Sequence, residues 1–262
     1  MSDSANAASS NYVQSLVRGL GVIRAFDVEH PEMTLSEVAA RTDLTRATAR
    51  RFLLTLADLG YVKTDGRQFS LTARVLELGF SYLSALSLPE IAQPHLEALA
   101  TLTHESTSAS VLDGADIVYV ARVPTRRIMS VSINIGTRFP AYATSMGRVL
   151  LAAFTPEALE AFLASIDYRA LTPHSLTKAQ LVDELGRVRT QGWALVDQEL
   201  EEGLRSVAAP IRHGGQVVGA INVSTAAAYH SVESIVTTIV PAVLETAAQI
   251  GADLSASRPF AR

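Results

Sequence analysis

TLSEVAARTDLTRATARRFLLTLADLGYVKTDGRQFSL, residues 34–71, reads as helix, turn, basic helix and tight hairpin, the order of a winged helix-turn-helix. Thr34 and Glu37 have the spacing of a capping box, and Leu35, Val38 and Ala39 supply the apolar stripe of a first helix. Thr45 is placed to cap a second helix, in which Ala49, Phe52, Leu53 and Leu56 recur at helical spacing and are expected to face the domain core. Arg50 and Arg51 then project from the opposite side, with Arg46 at the margin of the first turn. Thr45 and Thr48 add hydroxyls at the end where a recognition helix meets base edges. Gly60 ends the helix, and Asp65-Gly66 suits a hairpin turn that would carry Lys63 and Arg67 beside phosphates.

An amphipathic helix with three arginines is by itself usually a solvated face. The local charge is more specific. Residues 41–74 hold seven basic residues against three acidic ones, in a chain whose net charge is -4. A basic island on elements expected to face a duplex is the electrostatic footprint of phosphate contacts. The candidate DNA-contacting residues are therefore Thr34, Thr45, Arg46, Thr48, Arg50, Arg51, Lys63 and Arg67.

With 262 residues, 48% hydrophobic and 18% charged, the chain has ample core for two domains. No apolar run approaches membrane-spanning length and no signal-peptide core is present, so no membrane partner and a cytoplasmic location are expected. The absence of cysteine excludes disulfides and thiolate chemistry. Residues 1–11 and 257–262 read as tails, the former disordered, residues 12–72 as the winged domain, 73–88 as a linker helix and 89–256 as a second domain. Leu16, Leu20 and Ile23 predict a stripe on a helix ahead of the winged segment. Leu76, Phe80 and Leu83 predict another on the linker helix, capped by Thr72, which packs either on its own domain or on a second copy of the chain.

Beyond Pro89 the pattern alternates between strands and helices. A helix is expected around residues 94–104, strands over 108–112 and 117–123, further strand over 129–135, and helices over 145–154, 156–163 and 178–191. Strand 193–196, a hairpin of 207–212 with 216–224, and a closing helix over 232–254 complete the order. Hairpins imply antiparallel neighbours, so the fold class is α+β, with an antiparallel sheet and flanking helices.

Catalytic motifs are absent: no G-x-S-x-G, P-loop or H-E-x-x-H occurs, and Gly19-Leu20-Gly21 lacks the remainder of a dinucleotide site. The six histidines are scattered; His174 and His213 read as loop residues, and neither a metal nor a cofactor is expected. One polar concentration stands out. Asp197, Gln198 and Glu199 follow a strand, Arg205 and Ser206 come next, and Asn222 and Ser224 share one strand face. Its readings are an acid-base pair, a stabilised loop, or a pocket for a small polar ligand.

The run from about residue 15 to residue 254 resembles the IclR-type transcriptional regulators. The resemblance is carried by RGLGVIRAF at residues 18–26, the block from residue 34, PAYATSMGRVLLA at 140–152 and DQELEEGLRSVAAP at 197–210. It implies an N-terminal winged helix, a linker helix and a C-terminal GAF-like effector domain, assembled as dimers or tetramers on a pseudo-palindromic operator in double-stranded DNA. Within the family, DIVYVARVPTRRIM at 116–129 and GTRFPAYATSMGR at 136–148 resemble the group controlling aromatic-acid breakdown through protocatechuate and the β-ketoadipate pathway.

That likeness places the effector against Ser145, Met146, Asp197, Ser206, Asn222 and Ser224. Glyoxylate-sensing members have smaller residues at Ser145-Met146, a cysteine at Ser206 and a serine at Asn222, so their ligand does not transfer. For an aromatic or dicarboxylic acid effector, Arg122, Arg138 or Arg148 is a candidate partner for the carboxylate, Tyr142 for stacking or hydrogen bonding, and Asp197 and Glu199 for pocket polarity. The expected function is a ligand-responsive regulator rather than an enzyme. The rivals are a DNA-binding assembly scaffold without effector and an enzyme using Asp197 and Glu199.

Overall fold

The computed structural model describes residues 12–78, 87–125 and 133–256. The tails, Phe80 and Leu83 of the expected linker stripe, and residues 129–132 of the expected strand lie outside them. The chain divides into two units, Met1–Ala85 and Leu86–Arg262.

In the first unit, α1 (Gln14–Arg24), α2 (Leu35–Arg41) and α3 (Arg46–Asp58) accompany a three-stranded antiparallel sheet. Its strands, β1 (Glu32–Thr34), β2 (Val62–Thr64) and β3 (Gln68–Leu71), lie in the order β1-β3-β2. The capping box forms: the Glu37 amide donates to Thr34 Oγ1 at 3.4 Å and the Thr34 amide to Glu37 Oε2 at 2.7 Å. Asp65 Oδ1 accepts from the Arg67 and Gln68 amides at 2.8 and 2.7 Å, which closes the wing turn. Those two bonds hold the Asp65 carboxyl below its ordinary range.

Val22, Met33, Val38, Leu53, Leu56, Val62 and Phe69 form the core of this unit. The expected stripe on α1 is corrected in part: Ile23 packs against the core, but Leu16 and Leu20 are 61% and 46% exposed, and Val22 is fully buried instead. Only the C-terminal turn of α1, continued by Ala25 and Phe26, reaches the core, so periodicity over the whole helix misassigns its face. Strand β1 was also unexpected, because three residues are too short to show a period.

The second unit is a six-stranded antiparallel sheet in the order β6-β5-β4-β9-β8-β7. Its strands are β4 (Ser106–Asp113), β5 (Asp116–Val123), β6 (Arg138–Pro140), β7 (Ala194–Asp197), β8 (Leu204–His213) and β9 (Gln216–Ala226). Helix α4 (Ser87–Thr103) and helix α8 (Val232–Ala256), the latter with a π segment at Ile235–Ile239, cover one face. Leu96, Val111, Val207, Ile211, Ile221, Val243 and Ile250 pack there. Gly251 allows the close approach, since a Cβ would stand 2.4 Å from the Arg212 carbonyl oxygen.

The other face carries α5 (Ser145–Leu151), α6 (Pro156–Ser165) and α7 (Lys178–Gln191). Ile117, Tyr119, Met146, Leu151, Leu181, Leu185 and Ala208 pack on this side. Two cores on one sheet follow from alternation: β8 sends Val207, Ala209 and Ile211 to the first and Ala208 to the second.

Four expectations change here. Helix α4 already runs from Ser87, ahead of the expected Pro94, and Pro94 is accommodated inside the helix. Residues 133–135 are not strand, because the chain turns at Gly136 with φ +87° before β6 begins at Arg138. His213 belongs to the end of β8 rather than to a loop. Finally, α8 is long and apolar enough to cross a membrane. Its Val243, Ala247 and Ile250 are core residues against the sheet.

Candidate DNA interface and effector cavity

Helix α3 presents Arg46, Arg50 and Arg51 exposed on one side, with Ala49, Leu53 and Leu56 buried on the other. Thr45 accepts from the Thr48 amide at 3.2 Å, and the two hydroxyls lie 2.9 Å apart, so both threonines brace the first turn. Lys63 and Arg67 are exposed on the hairpin. None of these five cations joins an ion pair among the described residues, whereas Arg41 pairs with Asp27 at 2.6 Å and Arg74 with Glu77 at 3.2 Å. The positive charge of α3 and the wing is therefore not neutralised by any carboxylate among the described residues. Thr34 serves its helix cap, its hydroxyl lying 2.8 Å from Glu37 Oε2.

In the second unit, Ser145, Met146, Ser206, Asn222 and Ser224 converge on a cavity of about 20 Å³. Asn222 and Ser224 come from β9, Ser206 from its neighbour β8, and Ser145 and Met146 from the first turn of α5. Asn222 Nδ2 donates to Ser206 Oγ at 2.8 Å and to Ser224 Oγ at 2.9 Å, and Ser145 Oγ lies 2.7 Å from Ser206 Oγ. Asn222 Oδ1 is buried without a hydrogen-bond partner among the described residues. The opposite amide orientation would strand two N–H donors instead of one acceptor, so the network favours this one.

Tyr119, Thr144, Leu200 and Leu204 also line the cavity and were missed in the sequence. Burial pushes the Tyr119 phenol up to about 12, against an opposing pull from the Arg122 charge.

The candidate arginines separate. Arg138 lies on the surface, paired with Asp113 at 2.6 Å and Asp116 at 3.2 Å. Arg148 is buried and donates to both carboxylate oxygens of Glu199, at 2.7 and 2.6 Å, and through Nε to the Tyr142 carbonyl at 3.1 Å. Arg122 is half-buried, and its Nη1 donates to Ser108 Oγ at 3.3 Å. Ser108 stands opposite Asn222 in the β4–β9 register, so Arg122 flanks the cavity face. It makes no ion pair among the described residues, and burial lowers its affinity for the proton.

A register shift between Ala109 and Ser110 brings Tyr119 and Arg122 to one face although they are three residues apart. Tyr142 packs on Tyr168, ring centroids 4.5 Å apart, and Asp197 holds Arg205 at 2.7 Å. These two residues and Glu199 stand outside the cavity wall.

Residues 15–66 match the IclR helix-turn-helix domain, and residues 80–252 match the bacterial transcriptional regulator IclR C-terminal region. The chain belongs to the IclR family. It is a DNA-binding transcriptional regulator, and the winged α+β architecture is that of the family. Among IclR relatives, it is 45% identical to the Pca regulon regulatory protein of Pseudomonas putida, over 82% of this chain and 75% of that protein. It is 34% identical to the Pca operon regulatory protein of Acinetobacter baylyi, over 92% and 88% respectively.

Two solved structures are similar. A transcriptional regulator from Rhodococcus sp. RHA1 has a TM-score of 0.85 and 58% identity, covering 94% of this chain and 99% of that one. An IclR homolog from Microbacterium hydrocarbonoxydans, complexed with 4-hydroxybenzoate, has a TM-score of 0.82 and 27% identity, covering 93% and 100%.

Proposed function

We propose that this IclR-family protein is a cytoplasmic regulator of protocatechuate and β-ketoadipate pathway genes, whose operator affinity responds to a small aromatic or dicarboxylic acid bound in the Asn222 cavity. Asn222 Oδ1, without a partner among the described residues, on a wall of hydroxyls flanked by Arg122, which is without an ion pair among them, carries this reading. A carboxylate needs a forked donor, which Arg122 offers, and a ring hydroxyl needs an acceptor, which Asn222 offers. Pca regulators among the relatives and a similar structure holding 4-hydroxybenzoate support the effector class.

A volume of about 20 Å³ holds one water, not a benzoate. Effector binding then requires the cavity to open. A ligand that fits only the opened arrangement shifts the equilibrium towards it, and a coupling of about 1–3 kcal/mol to DNA affinity is typical. Two copies would present α3 to half-sites about 34–36 Å apart. Catalysis is disfavoured, because both carboxylates of the acid-base reading are engaged by arginines, Asp197 by Arg205 and Glu199 by Arg148.

Calorimetry with protocatechuate, 4-hydroxybenzoate and β-ketoadipate tests the proposal: one of them should bind, and Arg122→Gln should weaken that binding while the fold is retained. Failure of all three leaves the assembly scaffold as the better reading. Turnover of any of them, lost in Asp197→Asn, would restore the enzyme.

A further inference from the structure

A second concavity lies at the other end of the cavity-side helix α5. The β8–β9 hairpin at Gly215, the end of β4 and the C-terminal end of α5 enclose a cleft of about 620 Å³, within the range of small-molecule sites at about 300–1,000 Å³. Leu112, Leu150, Phe154 and Val217 supply apolar walls, and Arg189 and Arg212 supply two positive charges. No acidic residue lines it among the described residues.

Arg212 is exposed, and its side chain has neither an ion pair nor a hydrogen bond among the described residues. Arg189 Nε donates to the Ala152 carbonyl at 2.8 Å and Nη2 to the Phe154 carbonyl at 2.9 Å, and it joins no ion pair among the described residues. Two uncompensated guanidiniums beside an aromatic and branched aliphatic wall match a planar organic anion: forked donors take a carboxylate and the wall takes the ring.

We propose that this cleft is a second binding site, for an aromatic carboxylate, distinct from the Asn222 cavity. An anion drawing on Arg189 competes with the Ala152 and Phe154 carbonyls at the end of α5. The first turn of that helix carries Ser145 and Met146 into the cavity. Seven residues at about 1.5 Å each separate the two ends by roughly 10 Å. Occupancy of the cleft thus bears on the helix that forms the cavity wall. Binding in the cleft stands by itself; its regulatory effect rests on the effector reading above.

The test is equilibrium dialysis of the full chain with 4-hydroxybenzoate and with benzoate, on the wild type, Arg212→Gln and Arg122→Gln, with melting curves confirming that each variant folds. Two sites per chain are expected for the wild type. Arg212→Gln should weaken one of them by about tenfold or more and leave the other, and Arg122→Gln should show the converse. A single site unaffected by Arg212→Gln overturns the proposal and leaves the cavity reading intact. A single site lost in Arg212→Gln supports the cleft and removes the cavity as effector site. No binding of either acid overturns the cleft.

Discussion

Arg148 and Glu199 form a bidentate ion pair inside the effector domain, with both guanidinium Nη atoms on both carboxylate oxygens and side chains only 2% and 9% exposed. Glu199 Oε2 also accepts from the Leu176 amide at 3.2 Å, so the pair ties α5 to the β7–β8 connection and to the segment before α7. Removing one member leaves the other charged and buried. Glu199→Ala is expected to destabilise the protein by about 3–5 kcal/mol. Asp197→Ala removes a carboxylate that is 37% exposed, and Arg205 keeps its bonds to the Ala227 and His230 carbonyls, so about 1 kcal/mol or less is expected. Denaturant titration of both variants decides, and equal costs would refute the ranking.

Gly147 sits where a Cβ would stand 2.0 Å from the Ala141 carbonyl oxygen. Backbone cannot yield as a flexible side chain does, so Gly147→Ala must push α5 away from the preceding turn. A loss of about 1–3 kcal/mol is expected, together with weaker effector binding, because Ser145 and Met146 move with the helix. A variant that melts and binds as the wild type does would show that the helix has slack at this contact.

The Tyr119 phenol, pushed up to about 12 by burial, should be among the last to ionise. Burial also raises the Tyr168 phenol above its ordinary value. The folded value of Tyr119 lies above the ordinary 10.0, so its contribution to stability is complete below pH 10 and is lost as pH rises from 10 through about 12. Ultraviolet titration of tyrosinate checks this: Tyr119→Phe should remove a late step from a curve to which seven tyrosines contribute. An unchanged late step would assign it to another residue.

On the DNA side, Arg50→Ala and Arg51→Ala are expected to weaken operator binding, and Lys63→Ala to lower the salt slope by about one while sparing sequence preference. Gel shifts at several salt concentrations separate these effects. Unchanged affinity in both arginine variants would remove α3 as the recognition helix.

Much of the winged unit was legible because its determinants lie within a few residues of one another. Thr34 with Glu37, Thr45 with Thr48, and Asp65 with Arg67 and Gln68 all act through hydrogen bonds of local reach. Helix α7 matches its expected span of residues 178–191, since Thr177 caps its start with Gln180 and Gly192 closes it at φ +84°. Local patterns failed where contact is made by only part of an element. Helix α1 touches its core through its last turn, and the bulge opposite Ala109 and Ser110 breaks the two-residue alternation that would have separated Tyr119 from Arg122.

The longer helices and hairpins, their antiparallel character, the basic helix and the polar residues of β8 and β9 were determined by the sequence alone, because propensity, capping and periodicity act over short stretches of chain; the three-residue strands β1 and β6 were not. The partners of the charged groups were decided only by the tertiary structure. Arg148 meets Glu199 from 51 positions away, and Arg138 meets Asp113 and Asp116 across a turn of chain, which leaves Arg122 beside the Asn222 cavity. Coulomb and hydrogen-bond energies depend on separation in space and on burial, neither of which is written in the spacing of residues along the chain.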